Sequence, residues 1–503
     1  MKLAAFRKLG LLSLGALTAL ALLASACGDD DDDDDDDDTG VTPATEEADE
    51  ATEEATETET EATEEEGDEG TAEEAAEEGE PDESAGVLAE CPPEGIFAVD
   101  ESIALFDERP EDEDRTGVTE DAIRIGKHSP LTGPAAPINY GEYVSLFLDY
   151  VNQNGGIHGR QLELFEADSA FNPAQGVTAV QQLVERDQVF LLMGGQGSAI
   201  ETAVSDYLVS RGIPNLFMAA ATVLMAEPTE PTRVSGIVSG IQTGLALADY
   251  VIEQQPGATL AIIHQNDEFG RAILPAFENA EDRGDVEIVI APTFDLGQPD
   301  LTPQVQQAVD ANPDFIVIEA QAPQGLQMLR ALRETIGSDI PVIFGDAFPG
   351  IPPGSPNMGG VVSVIYTYAP NQADLGCSPQ VQGLVEDAGL PFDSRATGAA
   401  YWVDALVRSL TLAGPDPTRE GLIEAMEMGF DGSWSCGVCV GPTILGPQDH
   451  WTLETLWPVQ WDDEGGGPVP LQDPISYETS EGLGIRGNVP GFDCTPETCP
   501  WEE

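Results

Sequence analysis

The chain has 503 residues, with 93 Asp plus Glu against 19 Lys plus Arg and four His, a formal net charge of −74. Lys127 is the only lysine beyond Cys27. A chain so poor in basic side chains lacks the footprint that nucleic acid or an anionic membrane surface needs, so neither class of partner is expected.

At the N-terminus, Lys2, Arg7 and Lys8 precede a mostly apolar stretch over 9–23, then Ala24, Ser25 and Ala26. This order is that of a secretory signal peptide. The stretch is shorter than the roughly 20 apolar residues of a membrane span. Cys27 stands at the expected cut, and Leu23-Ala-Ser-Ala-Cys27 resembles the lipobox of bacterial lipoproteins. The resemblance implies a lipid on Cys27 and a body held outside the cytoplasmic membrane. An ordinary signal peptide with an incidental cysteine is the alternative.

Residues 28–90 hold 32 Asp plus Glu, ten of them consecutive, and no Lys or Arg. Such a segment buries too little apolar surface to offset the entropy of ordering. It reads as a solvated spacer, and self-repulsion favours extension. Fully extended it would reach roughly 200 Å. Binding of cations or of a basic partner is the second reading. Removing this spacer and the three basic residues of 1–27 leaves 61 acidic and 16 basic residues, a net of −45.

Six cysteines remain beyond Cys27. In an exported protein an even number suggests disulfides. Cys436-Gly-Val-Cys439 and Cys494…Cys499 are local pairs, which leaves Cys91 and Cys377 for each other. Six cysteines allow 15 connectivities, so other pairings stay open. A four-thiolate zinc site from Cys436, Cys439, Cys494 and Cys499 is the sharper alternative.

From about residue 120, short β-branched runs alternate with helical periods. Residues 122–125, 162–165, 189–193 and 216–218 predict strands. Residues 140–152, 173–185 and 199–210 predict helices, with Val177, Val180 and Val184 at helical spacing. The rhythm resumes with strands at 260–263, 287–290, 315–318, 342–344 and 361–365. Helices are predicted at 245–253, 272–282, 302–311 and 324–335. Such alternation argues for parallel sheets covered on both faces. More than 300 residues of it argue for two lobes. Open parallel sheets bind ligands beyond the carboxyl ends of their strands, so two facing lobes make a cleft for a small molecule.

Candidate ligand residues lie at such strand ends. The run over 189–193 leads through Gly194-Gly-Gln-Gly-Ser198 into a helix start. Ser198 is placed to cap, and free N–H groups there favour an anion such as a carboxylate. No Lys-Ser/Thr follows the glycines, so this is not a phosphate loop. Ile200 replaces the second glycine of a hydrolase elbow. A tight turn with a capping serine is the plain alternative. The next strand ends Ala219-Ala-Ala-Thr222, where small residues allow close approach, the Ala220 carbonyl suits an ammonium group, and Thr222 offers a hydroxyl. A tightly packed strand–helix junction fits those residues equally well.

Ser129-Pro-Leu-Thr-Gly-Pro134, Asn139-Tyr-Gly141, Asn154-Gly-Gly-Ile-His-Gly-Arg160, the Gly-Gln-Gly-Ser198 turn, Ala-Ala-Thr222 and Asp267-Glu-Phe-Gly270 follow one another in a specific order. Over about 121–461 this resembles the type I periplasmic binding proteins of branched-chain amino acid uptake. The resemblance implies two Rossmann-like α/β lobes joined by three crossing strands, near 233–244, 344–350 and 438–442. It implies that Ser198, Ala220 and Thr222 grip the ligand's carboxylate and ammonium, and that Tyr140 and Phe269 pack on its side chain. Phe269 stands where tyrosine is more usual. Gln298 aligns with an acidic residue that pairs with the ammonium in relatives. An amide is a weaker partner for a charge, so Gln298 favours a neutral or less cationic solute unless Asp295, Asp300 or Asp346 substitutes. The glycines of the Asn154–Arg160 stretch read as a helix-to-strand turn.

The expected organisation is a lipoprotein leader over 1–27 and an acidic disordered tether and lead-in over 28–120. A first lobe spans 121–238 and 347–438, a second lobe 239–346 and 439–462, and an irregular tail 463–503. The expected function is an extracytoplasmic solute-binding lipoprotein of an ABC importer. It captures a small polar organic solute, a branched-chain amino acid or a related amino acid or amide, and delivers it to a membrane permease. A ligand sensor of the same fold is the alternative. The resemblance suggests a monomer without a cofactor or metal. His128, His158, His264 and His450 are scattered, without HExxH or a nucleophile elbow, so an enzyme is not expected.

Overall fold

The computed structural model describes residues 91–221, 232–345, 351, 354–447, 449–462, 466–480 and 484–487. Cys27, the acidic tether, Thr222, Asp346, Cys494 and Cys499 lie outside the described residues.

The first sheet is built on β1 (Ala122–Ser129), β2 (Gln161–Asp168), β3 (Leu191–Met193), β4 (Asn215–Met218) and β5 (Arg233–Ser235), in the order β2-β1-β3-β4-β5. All its pairings are parallel. Parallel strands need crossover connections. Here these are α1 (Gly141–Gln153), α2 (Pro173–Gln181) and α3 (Ser198–Val209). Val180 and Leu183 bury with Ile200, Val204 and Leu208 on one face, and Val177 and Val184 pack against them. The helical spacing of the three valines thus marks one face, as expected.

The second lobe begins with α4 (Gly240–Gln254), whose N-cap Ser239 forms a capping box with Gln242. It continues through β6 (Ala258–Gln265), α5 (Glu268–Arg271), α6 (Leu274–Asp282), β7 (Val286–Ile290) and β8 (Thr293–Phe294). Then come α7 (Thr302–Asp310), β9 (Phe315–Glu319), α8 (Ala322–Arg330), β10 (Val342–Phe344) and β11 (Val362–Ile365). β7, β6, β9, β10 and β11 pair in parallel in that order.

The chain then returns to the first lobe for α9 (Ser378–Asp387), α10 (Ser394–Ala413) and α11 (Arg419–Gly429). Arg419 fixes this layer to the first sheet by donating to the Phe190 and Val189 carbonyls, each at 2.9 Å. The last crossing leads to β12 (Thr455–Asp462), which runs antiparallel to β11.

Three segments cross between the lobes. Ser235 donates its N–H to His450 O at 3.0 Å, and Thr452 Oγ1 donates back to Ser235 O at 2.6 Å. Tyr368 donates to Val438 O at 2.9 Å and Val440 to Tyr366 O at 3.0 Å. The second crossing therefore lies at 366–368, not near 344–350, because Val362–Ile365 still pairs between β10 and β12. Residues up to 365 accordingly belong with the second sheet rather than the first lobe.

Two further expectations change. Residues 91–120 are not part of a disordered lead-in. Ile96 and Phe97 are buried, Phe97 N–H donates to Asp404 Oδ1 at 2.8 Å, and Leu105 N–H donates to Leu412 O at 2.8 Å. Arg115 pairs with Asp416 at 2.7 Å, and Arg419 with Asp114. The tail is not irregular up to 487. β13 (Gly467–Pro470) and β14 (Ile475–Ser480) pair with β12, and β15 (Gly484–Gly487) pairs with β14. β13 and β14 share the edge of β12 that β11 leaves free, β14 pairing at 455–456 and β13 at 459–462.

Cys91 bonds Cys377 and Cys436 bonds Cys439. Cys436 and Cys439 are thus joined to each other and are not thiolate ligands of a zinc site.

Candidate functional site

The turn after β3 is shaped by its glycines. Gly197 caps α3 at φ 111°, a conformation that strongly favours glycine. A Cβ there would also lie 3.1 Å from the Phe171 ring. No side chain caps α3, so Ser198 is its first residue rather than its cap. The opening N–H groups of a helix have no partner inside it. Ser198 Oγ instead accepts the Ala221 N–H at 3.1 Å, which ties the turn to the end of β4. Gln196 bridges Ala219, and Gly197 N–H donates to Ala219 O at 3.1 Å.

This turn forms one wall of a cavity between the two sheets. Its other first-lobe lining includes Ile138, Tyr140, Phe171 and Ala221. Tyr140 is held against Trp402, ring centroids 4.5 Å apart. The second lobe contributes Phe269 and Gln321, and the second crossing contributes Tyr366. The volume open to the centre of a water molecule is about 60 Å³. One water needs roughly 10–15 Å³ by that measure, so the space has room for several waters or a small solute in their place. Among the described residues lining it, none carries a carboxylate, an ammonium or a guanidinium.

Phe269 is presented by a short, locally determined element. Asp267 accepts the Gly270 N–H at 3.0 Å and the Gln265 amide at 2.5 Å. A Cβ on Gly270 would sit 1.9 Å from Gln265 O. The Asp267-Glu-Phe-Gly270 motif is therefore a cap, an aromatic and a close backbone approach. In the same way Asp168 accepts from Thr132 Oγ1 at 2.6 Å and Leu131 N–H at 3.0 Å, which shapes the Ser129–Pro134 loop.

The cavity brings together Tyr140, Ser198 and Phe269 of the sequence-derived candidates. The Ala220 side chain turns away to pack with Met218 and Trp451, and Ala219 and Ala221 line the cavity instead. Gln298 is not among the lining residues. Its amide donates to Asp300 O at 2.8 Å and Gln304 Oε1 at 3.0 Å. Asp295 is exposed and accepts from Asn266, and Asp300 accepts the Thr302 N–H. Neither lines the cavity. Gln321, the N-cap of α8, is the second-lobe amide that reaches it. A search of every β-strand end, rather than one aligned loop, would have found it. Nothing local marked Tyr366, which lies on a crossing.

Behind the turn lies a buried polar group. Lys127 is fully buried in β1. Its Nζ donates to Ser129 Oγ at 2.7 Å and to Gln196 Oε1 at 3.4 Å. Ser129 Oγ donates to Glu166 Oε1 at 2.5 Å. Burial pulls the ammonium down to about 8, while Glu166 and Glu201 act the other way. The histidines sit in hydrogen bonds elsewhere. His128 meets Glu201 at 2.6 Å, and His450 meets the Arg233 carbonyl at 2.6 Å.

Two contacts span the cleft edge. Thr202 Oγ1, one turn beyond Ser198, donates to Glu268 Oε2 beside Phe269. The Gly297 backbone lies against Pro134, 3.3 Å from where its Cβ would be.

A family model described as periplasmic binding protein matches residues 122–467. The chain belongs to the periplasmic binding protein family. This periplasmic binding protein is 23% identical to the Leu/Ile/Val-binding protein BraC3 of Rhizobium johnstonii over 354 residues, 68% of this chain and 92% of that one. A fatty acid ABC transporter substrate-binding protein from Thermomonospora curvata shares its fold with a TM-score of 0.64 and 20% identity, covering 73% and 96% of the two chains. A branched chain amino acid ABC transporter protein from Thermus thermophilus with bound valine gives 0.62 and 18%, covering 71% and 97%. Each of these relatives is named for binding or transporting a small solute. Their fold is the type I arrangement of two α/β lobes that the motif order implied.

Proposed function

We propose that this binding protein is a lipid-anchored receptor of an ABC importer that closes on a small polar organic solute and passes it to a membrane permease. The observation that carries the reading is the cavity itself. An uncapped helix start and Ser198 face it from one lobe, with Phe269 and Gln321 across from them. Uncapped N–H groups suit a carboxylate, and the aromatic walls suit an apolar side group. The names of the Leu/Ile/Val-binding relative and of the structure with bound valine support a branched-chain or related amino acid. The uncharged lining among the described residues supports equally a des-amino acid or an amide. Ser198, Tyr140 and Phe269 are proposed as contacts, with the Ala220 carbonyl and Thr222 as further ones. Gln321 takes the role first expected of Gln298.

A thermal-shift panel tests this. It would hold leucine, isoleucine, valine, their des-amino acids, benzoate, acetamide and urea. A ligand that binds only the folded state raises the melting temperature. A shift with any member supports the reading, and the amino versus des-amino comparison names the class. A folded sample that responds to none argues against this solute range. The anchor at Cys27 is tested by feeding labelled fatty acid to expressing cells, where Cys27→Ala should abolish incorporation.

A further inference from the structure

Lys127 poses a physical question. It is the single lysine of residues 28–503, and it is wholly buried. Removing an ammonium from water costs free energy that an apolar side chain of the same length would not incur. Its value must therefore lie in what Nζ bonds. One partner, Ser129 Oγ, leads to the Glu166 carboxylate. The other is Gln196 Oε1, whose amide nitrogen donates to Ile138 O at 2.9 Å. The orientation of the Gln196 amide follows from this chemistry. An ammonium can only donate and a carbonyl can only accept, so the oxygen faces Lys127 and the nitrogen faces Ile138. Gln196 sits directly before Gly197 and Ser198, and Ile138 leads into Tyr140, the residue before α1. Gln196 and Ile138 both line the cavity.

We infer that Lys127 is a positioning residue for the ligand wall: its ammonium locks the Gln196 amide, and with it the turn bearing Gly197 and Ser198, against the segment that carries Tyr140. It touches no ligand. The two walls of the first lobe are joined through one amide whose free end is held by a buried charge. This rests on reading the cavity as the solute site, but its test does not depend on a ligand.

The full chain has three lysines, Lys2, Lys8 and Lys127. Lys2 and Lys8 precede Cys27 and leave with the leader on the proposed reading, so selective carbon-13 labelling of the lysine ε-carbons gives one signal in the mature chain, which Lys127→Met removes. Gln196→Met should shift the Lys127 signal. Amide exchange at 136–140 and 195–199 should quicken at least about tenfold in each single variant, as expected for losing one hydrogen bond to a charged group. The double variant should add nothing further. The inference is overturned if Gln196→Met leaves the lysine signal in place. Quickening spread evenly over the first sheet, or additive effects, would equally overturn it, since a general loss of stability explains both. If Lys127→Met does not fold, the signal that moves in Gln196→Met carries the decision. The solute panel on the wild-type chain judges the cavity separately: no binding there, with the exchange pattern intact, removes the ligand reading and leaves the lock.

Discussion

Thr202 Oγ1 donates to the Glu268 carboxylate across the edge of the cleft. Both residues lie next to the cavity on their own lobes, Thr202 one helical turn beyond Ser198 and Glu268 immediately before Phe269. One partner lies on each lobe, so the bond is lost if the lobes part at this edge. On the proposed closing on a solute, it is a contribution to closure that the solute itself does not touch.

Thr202→Val keeps the shape of the side chain and removes the donor. A half-exposed bond to a charged group is worth about 1 kcal/mol after solvent screening, close to a fivefold change in affinity. The expected result is a fivefold weaker solute Kd carried by a faster off-rate. Stopped-flow dissociation checks this, and an unchanged off-rate would remove the contact from the closing step.

Ser198→Ala deletes the acceptor of the Ala221 N–H in a buried site. An unsatisfied buried donor costs about 1–3 kcal/mol. The urea midpoint should fall accordingly. Solute affinity should fall as well, because Ser198 lines the cavity. Loss of stability with intact affinity would make Ser198 a structural residue only.

Gly270→Ala places a Cβ against Gln265 O, with a spacing of 1.9 Å before relaxation. The backbone must shift, at a cost of about 1–3 kcal/mol of local strain, and Phe269 shifts with it. A lower melting temperature together with weakened solute binding is expected. Normal values for both would show that α5 accommodates the methyl group freely.

Asp404 carries a pH dependence. Burial holds its carboxyl up at about 6, against which the Phe97 and Gly437 N–H groups work. Between pH 4 and 6 the native state keeps a proton that the unfolded chain has released. Stability from this group is therefore complete below pH 4 and is lost as pH rises through 6, by roughly 3 kcal/mol. Asp404→Asn has no such titration. Its stability relative to wild type should improve by that amount from pH 4 to 7, as followed by urea midpoints. Parallel pH curves for the two proteins would contradict this.

Much of the molecule was legible in the sequence. Each strand and helix drawn from the period of its apolar residues is present, because that period directly reports which face is buried. The Gly194–Ser198 turn into a helix was legible too, although Ser198 begins α3 rather than capping it. Its geometry depends on positive φ and close approaches within a few residues.

Only the tertiary structure decided what those elements meet. Whether Ala220 or its neighbours face the cavity depends on strand-end parity, which the pairing of Gln196 with Ala219 sets. Gln321 and Tyr366 reach the cavity because two sheets and a crossing converge there, across more than a hundred residues of chain from Ser198. Lys127 reads as a surface charge in any local window. Its burial depends on Gln196 and the Ser129–Glu166 pair closing around it. Local backbone chemistry is written in neighbouring residues, whereas a shared cavity wall is written in contacts between distant ones.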